Sequence, residues 1–311
     1  MELIKQTLEK MKSSKSMLDN FQRLKEDILS DKWIVEFLRE NPTLPESEIN
    51  RNISRFFEYR NERNNCTKCL SLDTCVNMMK GYQPELFLER QQVQLRYNVC
   101  HRKWKDDQKK QQQSLIKSLY IPKEILKATF DQLDQDNRSR IVAIAKAVEF
   151  ATTTNPGETG KGLYLHGQFG VGKTYIMGAI ANELAERNIS SMLVYTPDFF
   201  RELKSGISDG SYNEKLDLVK KVPVLILDDL GAETMSSWVR DDILGVILQH
   251  RMLEKLPTLY TSNYDFDELE EHLAYSQKGG IEQLKSKRIM ERIRHFADPV
   301  YIEGVNRRGK M

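Results

Sequence analysis

The spacing of apolar residues changes character twice along this 311-residue chain. Met17, Phe21, Leu24 and Ile28, then Ile34, Phe37 and Leu38, recur at three- and four-residue steps. That period predicts one or two amphipathic helices, broken at Asn41-Pro42. Residues 50–65 continue helically, and Leu86-Phe87-Leu88 with Val93 to Val99 form a hairpin-like segment. From His101 to Gln113 the apolar pattern disappears into lysine, aspartate and glutamine, which predicts a solvated linker or an exposed helix. Beyond it, short apolar runs at Gly162–His166, Ser191–Thr196, Val222–Asp228, Leu256–Ser262 and Val300–Glu303 alternate with helical periods at 175–187, 198–205, 212–220, 237–253 and 281–296. Strand and helix in alternation imply an α/β fold, a parallel sheet covered by helices. Val222 to Leu227 is almost continuously apolar, as a strand buried on both faces must be. The expected organisation is a small, mostly helical domain over residues 1–104, a linker over 105–120 and an α/β domain over 121–311.

Composition narrows the function classes only modestly. A net charge of +2 does not mark a polyanion binder. No apolar stretch is long enough to span a membrane and the first residues lack a signal-peptide core, so a cytoplasmic protein is expected.

The chemistry begins at Gly167-Gln168-Phe169-Gly170-Val171-Gly172-Lys173-Thr174, a complete G-x-x-x-x-G-K-[ST] phosphate-binding loop between a predicted strand and a predicted helix. Its glycines let successive N–H groups face phosphates at a helix N-terminus. Lys173 is placed to reach the β- and γ-phosphates of ATP, and Thr174 to ligate Mg²⁺. The buried strand ends in Asp228-Asp229, the first suited to the Mg²⁺ shell and the second to the attacking water. Asn263, at the tip of another strand, either senses the γ-phosphate or caps a turn. Arg288 and Arg292 lie four apart on one helix, either as a solvated basic face or as guanidinium groups for a neighbour's phosphate; Arg307 and Arg308 are further candidates.

Together, the loop 167–174, Leu-Asp-Asp-Leu-Gly at 227–231, Thr261-Ser262-Asn263 and Arg-Ile-Met-Glu-Arg at 288–292 resemble the DnaC/IstB-like AAA+ ATPases, the family of the primosomal helicase loaders. The resemblance covers essentially the whole chain. It implies an AAA+ P-loop domain that hydrolyses ATP, with Asp229 where many relatives carry a catalytic Glu. It assigns Asn263 to sensor 1, Arg292 to an arginine finger acting across a subunit interface, and Arg308 to sensor 2. Ile121 to Phe130 matches the segment that covers the adenine. The implied partners are a hexameric replicative DNA helicase, single-stranded DNA, other primosome proteins and further copies of the chain. An IstB-like transposition helper is the alternative within the family; a small-molecule kinase and a nucleotide-binding adaptor without turnover are rivals outside it.

Cys66, Cys69, Cys75 and Cys100 are the only cysteines and fall within 35 residues. Clustering with a Cys-x-x-Cys pair favours Zn²⁺ over unrelated thiols, and no βαβ context supports a redox pair. The family's zinc site, as the resemblance implies, includes a histidine where this chain has Gln83, so the fourth ligand falls to Cys75, with His101 in reserve. For DNA, Lys204, Lys215, Lys220 and Lys221 with Phe199, Phe200 and Tyr212 offer phosphate contact and stacking, against the plainer reading of core aromatics and solvated lysines.

Overall fold

The computed structural model describes residues 19–206, 212–276 and 280–307, and the chain divides after Lys109 into two compact units. In the first, helix α1 (described over 19–29) ends before Asp31, whose carboxylate accepts the Trp33 N–H at 3.0 Å and caps α2 (Lys32–Glu40). The predicted helical stretch is thus two helices, with the break at Asp31 as well as at Asn41. Helices α3 (Glu46–Arg51) and α4 (Ile53–Thr67) follow, then the antiparallel hairpin β1 (Tyr82–Glu89) and β2 (Gln92–Val99). Ile28, Ile34, Phe37, Phe56, Leu86 and Val93 form the core of this unit. Helix α5 (His101–Ser114) has no buried residue, as its composition predicts.

The second unit carries a six-stranded, wholly parallel sheet. Its strands are β3 (Ile116–Leu119), β4 (Gly162–Gly167), β5 (Ser191–Tyr195), β6 (Val224–Asp228), β7 (Thr258–Ser262) and β10 (Ala297–Ile302), in the spatial order β10-β4-β7-β6-β5-β3. Residues 116–119, expected within a linker, instead pair with β5 at the sheet edge. Four residues carry too little periodicity to be recognised. Strands β6 and β7 both start later than their apolar runs, because Pro223 and Pro257 have no N–H for the ladder. Pro299 is tolerated in β10 because that strand lies at an edge.

Helices α6 (Arg138–Thr153) and α7 (Lys173–Glu186) help build one apolar layer. The opposite layer draws on α8 (Thr196–Ser205), α9 (Tyr212–Lys221), a π-helical turn (Val239–Leu244) running into α10 (Gly245–Leu253), α11 (Phe266–Ala274) and α12 (Gln283–Phe296). A two-residue pair, β8 (Tyr275–Ser276) with β9 (Gly280–Ile281), joins the last two helices. Beneath the sheet Arg251 is only 1% exposed. Its guanidinium donates to the carbonyls of Val219, Lys220, Val222, Pro223 and Pro257 and to Thr258 Oγ1, at 2.6 to 3.3 Å. Those acceptors belong to the end of α9 and the approaches to β6 and β7.

Candidate nucleotide site

In parallel α/β sheets ligands bind beyond the carboxyl ends of the strands, where neighbouring connections diverge. β4 lies between β10 and β7, and its end passes directly into residues 167–174. A side chain at Gly167 would put Cβ 1.9 Å from the Ile302 carbonyl oxygen, so the loop can leave the sheet only through glycine. Gly172, at φ +94°, turns the backbone into the first residue of α7.

Lys173 is 7% exposed, and its ammonium donates to the carbonyls of Gly167 and Gln168 at 2.7 and 2.9 Å and to Asn263 Oδ1 at 2.9 Å. The Asn263 amide in turn donates through Nδ2 to Asp229 Oδ1 at 2.9 Å. Asn263 therefore links the loop lysine to the second aspartate, which a turn-capping role does not provide. On the neighbouring strand Asp228 is 5% exposed, and its Oδ1 accepts from Thr174 Oγ1 at 2.8 Å and Thr261 Oγ1 at 2.6 Å. Burial pushes the Asp228 carboxyl above the usual carboxylate range, against the pull of those two hydroxyls. A cation beside it would favour the ionised form.

These groups form one end of a cleft of about 640 Å³. Tyr120, Ile121, Pro122, Ile125 and Leu133 supply an apolar wall suited to a base, and polar residues including Gln132, Tyr195 and Asp198 also line the cleft. Phe169 and Gly170 also reach it; Gln168 and Val171 complete the loop, with Val171 buried in the core layer beneath. Among the described residues, Arg292 is not at this cleft. It donates to the Gly245 carbonyl at 3.1 Å in a second groove shared with Lys220, His250, Lys285 and Arg288. Arg308 lies outside the described residues. Its neighbour Arg307 does line the cleft, ion-paired with Asp134 and Asp136.

Several participants carry no motif. Arg140, 4% exposed, donates to the Val171 carbonyl at 2.6 Å and to the Asp134 carbonyl at 2.6 Å, fixing the loop from α6. Thr261 serves both aspartates, donating to Asp228 Oδ1 and accepting the Asp229 N–H at 2.8 Å. In sequence Thr261 is one more hydroxyl in a strand and Arg140 one more cation in a helix. Only the register of β6 against β7 and the packing of α6 give them their roles.

The stacking reading of Phe199 and Phe200 is corrected: they are 0% and 3% exposed and belong to the core. Tyr212 packs edge-on against Trp238. Lys215 pairs with Glu202, and Lys220 and Lys221 with Asp217. This segment is a packed helix pair with solvated ion pairs.

In the first unit Cys66 Sγ accepts from Asn77 Nδ2 at 3.3 Å, Cys75 Sγ from the Gly81 N–H at 3.5 Å and Cys100 Sγ from the Lys103 N–H at 3.4 Å. Cys69 donates to the Ser71 carbonyl at 3.2 Å. Among the described residues no three Cys, His, Asp or Glu side chains converge as a ligand group. His101 stacks on Trp104.

The replicative helicase loader DnaI of Bacillus subtilis (strain 168) is 43% identical over 309 residues, covering 99% of each chain. The chain belongs to the DnaI family of helicase loaders. Residues 1–97 match the primosomal protein DnaI N-terminus, and residues 94–311 match the IstB-like ATP binding proteins. A crystal structure of DnaI superimposes with a TM-score of 0.57 at 56% identity, covering 64% of this chain and all of that one. The DnaC helicase loader does so at 0.51 and 27%, covering 58% of this chain and all of that one. The IstB-like match leaves out residues 1–93, most of the first unit, whereas the DnaI match includes them, which separates the loader reading from the transposition alternative. The second unit is accordingly an AAA+ ATP-binding domain of the DnaC/IstB type. No described helix is long and apolar enough to cross a membrane.

Proposed function

We propose that this chain uses ATP to load the hexameric replicative helicase onto single-stranded DNA during primosome assembly, through a first domain (1–104) that docks on the helicase and an ATPase domain whose sheet begins at β3, with residues 105–115 between them. The observation that carries the ATPase reading is the Lys173–Asn263–Asp229 chain of hydrogen bonds. Lys173 exchanges its carbonyl partners for the β- and γ-phosphates, and Asn263 keeps Asp229 facing the attacking water. Thr174 and Asp228 would hold Mg²⁺, which would neutralise charge on the phosphate oxygens. Asp229 is one methylene shorter than a glutamate, in keeping with slow or partner-stimulated hydrolysis. Arg292, remote from its own cleft, serves a neighbouring copy as the arginine finger, so self-association precedes turnover. Arg308 would act as sensor 2 from the chain end, with Arg307 beside it.

The first domain would hold Zn²⁺ through Cys66, Cys69, Cys75 and Cys100. Support comes from donor chemistry: three of the four sulfurs already accept N–H bonds, as metal-bound thiolates do. Co-purification from a cell extract with and without ATP tests the whole reading. Retention of the replicative helicase, by wild type and by Lys173→Ala alike, is expected; recovery of a transposase would overturn it.

A further inference from the structure

We infer that Glu233 is a positioning residue for ATP turnover, holding the backbone turn that presents Asp229. The inference rests on the ATPase reading of the cleft. Asp229 has φ +58°, a left-handed conformation that is disfavoured for a residue with a β-carbon and persists only where its surroundings enforce it. The enforcing bonds are identifiable. Thr261 takes the Asp229 N–H, the Thr261 carbonyl takes the Leu230 N–H at 2.8 Å, and Ser262 Oγ donates to the Leu230 carbonyl at 2.6 Å. Of the two remaining donors, the Ala232 N–H closes on the Asp229 carbonyl at 3.1 Å and the Gly231 N–H goes to Glu233 Oε2 at 2.9 Å. Thr196 Oγ1 lies between the Asp228 carbonyl at 3.1 Å and the same Glu233 oxygen at 3.4 Å, joining β5 to the turn.

Glu233 is 7% exposed and does not line the cleft, so its route to the site is the turn backbone. Its other oxygen, Oε1, is buried with no hydrogen-bond partner among the described residues. An aliphatic side chain would fill such a site at lower desolvation cost, and no described cluster offers the carboxyl a metal role. What the carboxyl supplies is an acceptor for Gly231, and through it the aim of Asp229.

The test compares Glu233→Ala and Glu233→Gln in the full-length protein, reading steady-state ATP turnover and binding of a non-hydrolysable ATP analogue with Mg²⁺. Misplacing a catalytic group by about 1 Å costs on the order of 100-fold. Glu233→Ala should lower kcat by about 10- to 100-fold while analogue affinity stays within about threefold. Glu233→Gln, which keeps an acceptor oxygen, should recover most of the loss. Equal losses of affinity and kcat, or an unchanged kcat in Glu233→Ala, overturn the inference. If Glu233→Ala does not fold, Thr196→Val is read for the same split. A wild type that releases no phosphate removes the ATPase reading, and a crystal structure of Glu233→Ala or Thr196→Val then decides this one. Asp229 retaining φ near +58° and its bond to Asn263 overturns it; loss of both supports it.

Discussion

In the nucleotide cleft the functional side chains bond to one another: Lys173 to Asn263, Asn263 to Asp229, Thr174 and Thr261 to Asp228. In the cysteine lobe each sulfur bonds locally instead, Cys69 to Ser71 and Cys100 to Lys103. The contrast follows from the chemistry of the donors. Amides, hydroxyls and one ammonium attract the carboxylates opposite them, so folding alone assembles the cleft. Thiolates repel: burial raises the Cys66 thiol, and Cys75 and Cys100 nearby raise it further. The proposed Zn²⁺ would neutralise that repulsion. The first arrangement is built by the scaffold; the second would be drawn together by the proposed ion.

The comparison can be broken in four ways. Chelation or Cys66→Ser should have the largest effect, because structural Zn²⁺ contributes on the order of 10 kcal/mol. Bound zinc should fall from about one per chain towards zero and the first unit should lose its thermal transition, with ATP-analogue affinity unchanged; full zinc content in Cys66→Ser would refute the ligand assignment. Lys173→Ala should weaken ATP binding by about 100-fold or more, roughly 3 kcal/mol, while helicase capture persists. Loss of capture in that variant would show that the two sites are not separable.

The third concerns pH. Burial pushes the Glu233 carboxyl from its ordinary 4.5 up to about 7. The folded state therefore keeps this proton over a range where the unfolded chain has released it. Its contribution is fully present below about 4.5 and is lost as pH rises through about 7, at most about 3 kcal/mol. Asp228, also raised by burial, adds in the same direction. Without nucleotide or metal the second unit should melt lower at pH 8 than at pH 5, and Glu233→Gln should flatten that slope; parallel slopes would deny the buried carboxyl this role. Last, Thr261→Val strands the part-buried Asp229 N–H and leaves Asp228 one donor short, and should cost about 1–3 kcal/mol in denaturant unfolding. A melt indistinguishable from wild type would mean that Thr261 is dispensable to the turn.

Legibility in the sequence tracked locality. Gly167–Thr174 is a contiguous recognition element, and an apolar run ending in Asp228-Asp229 announces itself, so these elements and the five main strands were predictable. Asn263 was visible as a strand-end amide, but its bonds to Lys173 and Asp229 could not be read without the fold. Arg140, Thr196, Thr261 and Glu233 acquire meaning only from partners 31, 32, 33 and two positions away, across strand register or around a tight turn. Glu233 stands just two residues beyond the recognisable 227–231 run, where sequence shows only a charged residue in a loop. Phe199 and Phe200 failed in the opposite sense: aromatics beside lysines suggest stacking, whereas amphipathic packing of α8 turns them inward.

Arg251 has a consequence for how this molecule responds to its medium. Among the described residues no carboxylate pairs with it, and carbonyl oxygens do most of the holding. Mobile ions screen charge pairs that reach water, not donors enclosed by backbone. The strands delivering Asp228 and Asn263 are therefore tethered at their far ends by a contact indifferent to ionic strength. Electrolyte can loosen surface ion pairs such as Lys215–Glu202 without blurring the alignment of the strand ends that present Asp228 and Asn263.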